Sequence, residues 1–257
     1  ENNGAGQFKD VATKVAPDFQ KLGMITDAVL ADIDGNSSKE LVVVGEWMSP
    51  KVFLIEDGTA FPAETGLEGF AGWYYAAESA DIDGDGDQDL VLGNRGENFY
   101  FTGSPEAPAK LWVNDFDFNG TIDPILTHHI GGKDKPISMK KELTEQIVSL
   151  KKQNLKHSDY ATKSIQDLIG PVPLKKAIVM EGTYFKSAVA INNGNGEFEL
   201  KALPAEVQFS CVCDIYCEDL NDDGKKDLIL GGNFSYFLPQ FSKLDGSKGH
   251  TLINEGN

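Results

Sequence analysis

Acidic side chains occupy every second position of the segment Asp81–Leu90, which reads Asp-Ile-Asp-Gly-Asp-Gly-Asp-Gln-Asp-Leu. This spacing puts five carboxylates into one tight turn, where they would repel each other strongly without a cation among them. An all-oxygen cage that contains several carboxylates suits Ca²⁺. Gly84 and Gly86 allow the positive φ angles with which a backbone wraps around an ion. The segment is therefore predicted to be a calcium-binding loop.

The same spacing recurs three more times along the chain. The predicted metal ligands, at loop positions 1, 3, 5, 7 and 9, are Asp32, Asp34, Asn36, Ser38 and Glu40; Asp81, Asp83, Asp85, Asp87 and Asp89; Asp115, Asp117, Asn119, Thr121 and Asp123; and Asp219, Asn221, Asp223, Lys225 and Asp227. Because the residue at position 7 varies, its backbone carbonyl is the expected ligand there. The first loop departs furthest from the pattern, since Ser37 replaces the second glycine and Glu40 is longer than aspartate.

An EF-hand is the alternative kind of calcium loop, and it requires a glutamate at its position 12. Apolar residues stand at that position in all four loops, namely Val43, Leu92, Leu126 and Leu230. Each loop runs instead directly into an apolar segment that is typical of a β-strand. The loops are therefore predicted to precede strands rather than helices.

Composition narrows the classes of protein that this chain can represent. Its 257 residues are 40% hydrophobic and 10% aromatic, which is enough for a packed core. The formal net charge of −17 argues against a nucleic acid as partner. No apolar run approaches the length of a membrane-spanning helix, so no transmembrane segment is expected.

Repeats indicate the architecture. The loops begin at residues 32, 81, 115 and 219, and the first two intervals suit a sheet of up to four strands, the blade of a β-propeller. A hairpin pattern with Asn-Gly or Asp-Gly turns also recurs, at Ile191–Phe198, Ile55–Phe61, Asn2–Phe8 and, as a first half, Ile253–Asn257. The predicted fold class is all-β, a β-propeller or a segment of one with four-stranded blades. We expect one propeller-type domain over residues 1–257 with about four repeats.

The chain opens and closes in the same turn of this hairpin pattern. Either the last strand pairs with the first and closes a ring, or the chain is a segment of a longer propeller. The second alternative is favoured because the chain stops inside a hairpin.

The long third interval between loops is explained by a helical insertion at about residues 133–176. Apolar residues at helical spacing predict a helix that begins at Ser138, and a second short helix is predicted over Ser158–Ile169. The insertion contains ten lysines and five acids, a net charge of +5. A lysine-rich helix face is commonly just solvated, but it could also dock a partner or an anionic glycan.

Aromatic residues cluster around the first three loops. They are Trp47, Trp73, Tyr74, Tyr75, Phe99, Tyr100, Phe101 and Trp112. Exposed rings of this kind would stack on sugars or anchor a protein, whereas in a blade they would belong to the core. The candidate ligand-binding residues are Trp47, Trp73, Tyr74 and Trp112.

The three cysteines, Cys211, Cys213 and Cys217, lie in one strand-like segment. Their odd number argues against a disulfide framework, and the spacing lacks the knuckle of a zinc site. They are expected to be small buried hydrophobes. The histidines are not arranged to chelate an ion, and no recognised catalytic motif is present.

The loops, the apolar segments after them and the hairpins together resemble the FG-GAP/VCBS repeat proteins, which share the calcium-loop β-propeller of integrin α-subunits. Asp81–Leu90 matches the family's loop motif in full, Asp219–Leu228 and Asp115–Asp123 match with substitutions, and Asp32–Leu41 departs from it. The segment from Asp115 to Lys133 and the lysine-rich insertion also look like large surface proteins of Bacteroidota. The resemblance implies a secreted or outer-membrane-attached protein that carries calcium as a structural ion.

Three functions follow as hypotheses. The leading one is a calcium-binding extracellular module that binds a glycan or a protein at the cell surface. An alternative is a polysaccharide lyase or hydrolase built on a propeller, for which the carboxylates outside the loops would supply the acid and base. A further alternative is a structural scaffold within a longer chain.

Overall fold

The structure is a computed structural model, and it describes residues 1–237, 241 and 243–256. The chain divides into two compact units. The first, here called the blade unit, consists of Glu1–Tyr100 and Phe185–Asn257. The second, here called the inserted unit, is Phe101–Tyr184.

The described residues form short helices and strands in chain order. The strands are β1 (Met24–Ala31), β2 (Glu40–Met48), β3 (Lys51–Glu56), β4 (Thr59–Ala63), β5 (Gly72–Ala80), β6 (Asp89–Asn94), β7 (Ala109–Asn114), β8 (Asp123–Ile130), β9 (Lys133–Pro136), β10 (Ile178–Gly182), β11 (Ala188–Asn192), β12 (Phe198–Ala202), β13 (Asp214–Glu218), β14 (Asp227–Gly231) and β15 (His250–Leu252). The α-helices are α1 (Ala12–Val15), α2 (Lys140–Gln146), α3 (Leu150–Gln153), α4 (His157–Ala161), α5 (Ile165–Leu168) and α6 (Pro171–Lys176), with 3₁₀ turns at Pro17–Lys21 and Val207–Phe209.

The first four strands form one antiparallel sheet in the order β1-β2-β3-β4. Strand β2 is apolar and buried along nearly its whole length, so both of its faces contribute to the core. A two-residue turn joins β3 to β4, with positive φ at Asp57 (47°) and Gly58 (74°). Positive φ at both central residues is the signature of the turn that suits a hairpin, so the predicted hairpin at this place is confirmed.

A second four-stranded sheet is assembled from distant parts of the chain. Strand β5 pairs with β6, β6 pairs with β11, and β11 pairs with β12, all antiparallel. The turn between β11 and β12 confirms the predicted hairpin at Ile191–Phe198. The pairing of β2 with β5 joins the first two sheets. Buried side chains of both sheets, including Val44, Tyr74 and Leu90, share one core.

A third sheet of the blade unit consists of β13, β14 and β15. Its side chains pack with Ala76, Val91 and Val189 of the second sheet in another core. The predicted half-hairpin at Ile253–Asn257 follows β15, and its last residue lies outside the described residues. At the other end of the chain, a single β-bridge between Asn2 and Phe8 closes the N-terminal hairpin.

The inserted unit contains its own four-stranded antiparallel sheet, in the order β10-β7-β8-β9. Asp134 stabilises this sheet, because its carboxylate accepts a hydrogen bond from Lys110 at 3.2 Å and pairs with His129 Nδ1 at 2.8 Å. Burial acts to raise the pKa of Asp134, but these two contacts outweigh burial and lower it.

The helices α2–α6 lie within the predicted insertion, but each predicted helix is split in two. The first becomes α2 and α3, since the backbone at Ile147 leaves helical geometry with φ −115° and ψ 88°. Its N-cap is Met139 rather than Ser138, and the Glu142 carboxylate accepts the Met139 N–H at 3.0 Å. The second becomes α4 and α5, because the Ser164 hydroxyl accepts the N–H of Asp167 and starts a new helix.

The fold class predicted from the sequence is confirmed: antiparallel sheets of the propeller-blade type dominate, with a small helical insertion. The segment that separates β6 from β11 is longer than the predicted insertion, and it carries a sheet and an acidic loop as well as the helices. None of the helices in the described part of the chain has the length and apolar content that a bilayer crossing demands.

Candidate metal centres

The four acidic loops share one local geometry. Each connects two antiparallel strands or leads into one, and the acid at position 9 begins the following strand and is buried. That carboxylate accepts the backbone N–H of the residue at loop position 2 in every case. The four bonds are Ile33 to Glu40 at 2.7 Å, Ile82 to Asp89 at 2.7 Å, Phe116 to Asp123 at 3.0 Å and Leu220 to Asp227 at 3.0 Å.

The acid at position 1 closes the turn from the other side. Its carboxylate accepts the N–H of the residue at position 6, from Ser37, Gly86, Gly120 and Gly224, at distances of 2.9, 3.1, 2.8 and 2.8 Å. Ser37 adopts a φ of 70°, so the first loop keeps the shape of the others without the second glycine. Glu40 likewise takes the place of aspartate without changing the bond to position 2.

Three of the loops bring three carboxylates together. The groups are Asp32, Asp34 and Glu40; Asp81, Asp83 and Asp89; and Asp115, Asp117 and Asp123. Within each group, one oxygen from every residue lies within 4.8 Å of the others. Negative charges at such separations repel, and a cation between them removes that cost. The structure therefore brings together positions 1, 3 and 9 in three of the four predicted ligand sets.

Two oxygen atoms of these groups are buried and have no hydrogen-bond partner among the described residues. They are Oδ1 of Asp32 and Oδ1 of Asp117. Buried polar atoms are nearly always paired, because an unpaired one costs free energy. A cation bound between the carboxylates would supply the missing partner, so the donor set fits a hard, oxygen-seeking metal ion.

The side chains at position 5 brace the turn, since each accepts the N–H of the residue at position 7. The acceptors are Asn36, Asp85, Asn119 and Asp223, with bonds of 2.7, 2.9, 2.7 and 2.9 Å. The sequence expectation of a backbone ligand at position 7 stays a prediction.

The fourth loop has the same backbone geometry but one carboxylate fewer at the centre. Asn221 stands at position 3, where its amide oxygen is a neutral donor. Hydrogen bonds from backbone N–H groups, that of Gly224 first among them, lower the pKa of Asp219. This loop is thus built to hold an ionised carboxylate at position 1, with less charge around it than the other three.

Two asparagines connect neighbouring loops, and the sequence analysis missed both. Asn192 donates its backbone N–H to Asp89 at 2.8 Å, and its side-chain Nδ2 donates to the carbonyl of Ile33 in the first loop at 2.7 Å. Asn254 repeats this arrangement, donating from its backbone to Asp227 at 2.8 Å and from Nδ2 to Ile82 at 2.6 Å. The signal in the sequence for these two asparagines is the hairpin pattern Asn-x-Gly, which by itself predicts only a turn.

The prediction that aromatic side chains form an exposed ligand site is wrong for three of the four candidates. Trp47 and Trp73 are each only 7% exposed and Tyr74 is fully buried, so their rings cannot stack on an external sugar. Trp47 and Trp73 pack edge to face at 5.2 Å, and the buried Arg95 guanidinium lies 4.9 Å from the Trp73 ring. Contacts with a cation and with each other make these rings part of the core.

Trp112, in the inserted unit, is half-buried rather than exposed. Its ring N–H donates to the Thr127 hydroxyl at 3.0 Å, which fixes the ring against the neighbouring strand. This bond holds the ring against the sheet, and a role of Trp112 in ligand binding stays a prediction.

Comparison with known proteins agrees with this geometry. Residues 32–92 match the model of the FG-GAP-like repeat. The matched segment begins at the first acid of the Asp32–Glu40 loop and includes the whole Asp81–Asp89 loop. A comparison with curated proteins finds no match to the chain. The segment with the two blade-forming loops is thus similar to a repeat that builds β-propellers, as the resemblance implied.

Proposed function

We propose that this chain is a calcium-binding β-propeller module that acts outside the cell and binds a protein or a glycan there. The observation that carries the proposal is the pair of buried, unpartnered carboxylate oxygens on Asp32 and Asp117 within groups of three convergent acids. Acidic side chains converge on many protein surfaces without a metal. Buried carboxylate oxygens that lack a donor among the described residues are what a bound cation would explain.

Calcium suits the loops better than magnesium does. Calcium accepts six to eight oxygens in irregular geometry, whereas magnesium demands a near-ideal octahedron and keeps several waters. Together the loops offer carboxylates, amides, hydroxyls and backbone carbonyls, and each loop combines at least carboxylates, an amide and backbone carbonyls. Extracellular calcium modules have dissociation constants of about 10⁻⁴–10⁻³ M.

The proposed role of the ion is structural. In the blade unit, the first and second loops each join two paired strands, β1 to β2 and β5 to β6. A cation bound there would hold the ends of both strands through the carboxylates at positions 1 and 9. Burial raises the pKa of Asp89, and a bound cation would favour its ionised form.

The extracellular setting and the partner rest on the family resemblance and on the surface. Because Trp47 and Trp73 lie in the core, we assign binding to exposed rings of the blade unit, such as Tyr216, Phe209 and Tyr236, which are 56%, 51% and 92% exposed. Exposed aromatic side chains are the groups that anchor protein partners and stack on sugars.

Isothermal titration of Ca²⁺ into the EGTA-stripped chain tests the metal sites. We expect saturable binding with the affinity given above and the loss of one site in Asp83→Asn, which removes a central carboxylate of the second loop. The matched control is Asp57→Asn, an exposed acid in the β3–β4 turn outside every loop, which should bind as the wild type does. Equal binding by both variants, or no binding heat at all, would contradict the proposal.

A glycan array and an affinity capture from surface-protein extracts, each run in calcium and in EGTA, test the partner. Calcium-dependent binding to a defined sugar or a defined protein would support the binding role. If both experiments are blank while calcium binds normally, the scaffold hypothesis replaces the binding role and the metal sites stand.

A further inference from the structure

Two of the cysteines form a pair at the end of the strands opposite to the calcium loops. Cys211 and Cys213 lie just before β13, whereas the Asp219–Asp227 loop follows the other end of that strand. Their Sγ atoms are 3.2 Å apart. The expectation that all three cysteines are small buried hydrophobes is wrong for Cys213, which is exposed, whereas Cys211 is buried.

The backbone around the pair is held on both sides. Val212 donates its N–H to the carbonyl of Asn94 at the end of β6, at 3.0 Å. Cys213 donates its N–H to the carbonyl of Gly231 at the end of β14, at 2.8 Å. Gly232 packs so closely that a Cβ atom there would lie 3.0 Å from the Cys213 sulfur. The backbone that carries the two sulfurs is therefore held in place by neighbouring strands on both sides.

The two thiols are chemically unequal. The hydrogen bond between the two sulfurs lowers the pKa of Cys213 against the opposing effects of burial and of Asp214. The same bond, together with burial, raises the pKa of Cys211. An exposed cysteine whose thiol ionises more readily, 3.2 Å from the sulfur of a buried cysteine, is the arrangement of an attacking and a resolving thiol.

We propose that Cys211 and Cys213 are a redox-active pair that exchanges with low-molecular-weight disulfides and closes to an intramolecular disulfide. The Cys213 thiolate attacks one sulfur of the small disulfide, and the first small thiolate leaves with the bonding electrons. The Cys211 thiol then gives up its proton to water or to that thiolate and attacks the Cys213 sulfur. The second small thiol leaves, so two protein thiols are oxidised and one small disulfide is reduced to two thiols.

Cys217 does not belong to this pair and provides an internal control. It is half-buried on β13 and packs against the apolar core that contains Leu228. Packing against this core restricts the access of a small disulfide to Cys217, whereas Cys213 is exposed.

The test is reaction of the reduced full chain with oxidised glutathione, stopped by acid and alkylation, and read by peptide mass spectrometry. The wild type is expected to lose two hydrogens and to yield a linked Cys211–Cys213 peptide. Cys211→Ser should accumulate a glutathione adduct on Cys213, and Cys213→Ser should show little adduct while folded. Cys217→Ser should react as the wild type does.

Two results would overturn the proposal. One is a wild type that retains a stable adduct on Cys213 without closing the disulfide. The other is a reaction at Cys217 as fast as at Cys213. Because a serine variant could fail to fold, the wild type is also compared in buffer and in urea. Disulfide closure between Cys211 and Cys213 should be faster in the folded chain, and equal rates would show that the fold contributes nothing.

Discussion

Replacement of Asn192 by alanine should destabilise the blade unit by removing the side chain that ties two acidic loops together. Asn192 is 1% exposed. Its Nδ2 donates to the carbonyls of Ile33 and Gln88, at 2.7 and 3.2 Å, and its Oδ1 accepts from Gly194 and Gly196, at 3.1 and 3.2 Å. The alanine keeps the backbone bond to the Asp89 carboxylate.

The magnitude follows from these bonds. An intramolecular hydrogen bond contributes about 0.5–1.5 kcal/mol net, and a buried group that loses its partner costs about 1–3 kcal/mol. The short bond to Ile33, a residue that is 3% exposed, falls into the second class because water cannot easily replace it. The bonds from the turn glycines are longer and partly solvated. We expect Asn192→Ala to lower the free energy of unfolding by about 2–4 kcal/mol.

Asn195→Ala is the matched control, since Asn195 lies in the same hairpin. It is exposed, and its side chain accepts one bond, from the N–H of Glu197 at 3.2 Å. Its loss should cost less than about 0.5 kcal/mol. Urea unfolding of both variants in EGTA, where no calcium contributes, measures the difference. If the two variants unfold at the same urea concentration, the asparagine bridge does not stabilise the fold and the argument is refuted.

Three further perturbations test other parts of the account. Asp117→Asn removes the charge from a buried oxygen that lacks a donor. In EGTA, the free energy of unfolding of this variant should equal or exceed that of the wild type. At a hundredfold calcium excess, the variant should lack the roughly 2.7 kcal/mol that one bound ion adds, and urea unfolding measures both values. Asp134→Asn should cost about 1–3 kcal/mol at pH 7. Because the pKa of Asp134 is lowered, its contribution to stability is present above the ordinary aspartate pKa and is lost as pH falls through the lowered value. The free energies of unfolding of the wild type and of Asp134→Asn should therefore become equal in acid. Gly96→Ala should lower the melting temperature more than Gly58→Ala. Both glycines have a positive φ, but a Cβ at Gly96 would lie 2.6 Å from two backbone carbonyl oxygens, whereas a Cβ at Gly58 would meet no atom within 4 Å.

The acidic loops could be predicted from the sequence because their geometry is local. Carboxylates at every second position, followed by an apolar run, specify both the turn and the strand after it. Strands β2, β6, β8 and β14 each begin at the last acid of a loop. The alternating pattern does not predict the central groups of three acids, because five alternating positions do not reveal that positions 1, 3 and 9 converge.

The aromatic residues and the extent of the insertion depend on contacts between distant parts of the chain. Trp47 adopts a φ of 60°, and its ring packs on Trp73 from another strand. The spacing of aromatic residues in the sequence therefore does not distinguish core positions from surface positions. Strand β6 pairs with β11 across the whole inserted unit. No local pattern in the sequence marks such a pairing, so the insertion was predicted only where its helices have visible periodicity.

The asparagine bridges combine a local sequence pattern with a contact between distant parts of the chain. Their sequence pattern, Asn-x-Gly, is local and was recognised as a turn. Their role depends on a neighbouring loop that only the folded sheet brings within 2.7 Å of the side chain. The thiol pair is similar, because Cys211 and Cys213 are only two residues apart in the sequence, but the difference in their exposure depends on the backbone bonds to β6 and β14.

The central claim is that the loops bind calcium and that this binding stabilises the fold. Calorimetric melting of the chain in EGTA, in magnesium and in calcium at a hundredfold excess over the dissociation constant tests it directly. One occupied site would add roughly 2.7 kcal/mol, and for a domain of this size each 1 kcal/mol raises the melting temperature by about 2–4 °C. The account predicts a rise of about 5–11 °C for each site in calcium, with a smaller effect of magnesium. A melting temperature that is the same in calcium and in EGTA would contradict it.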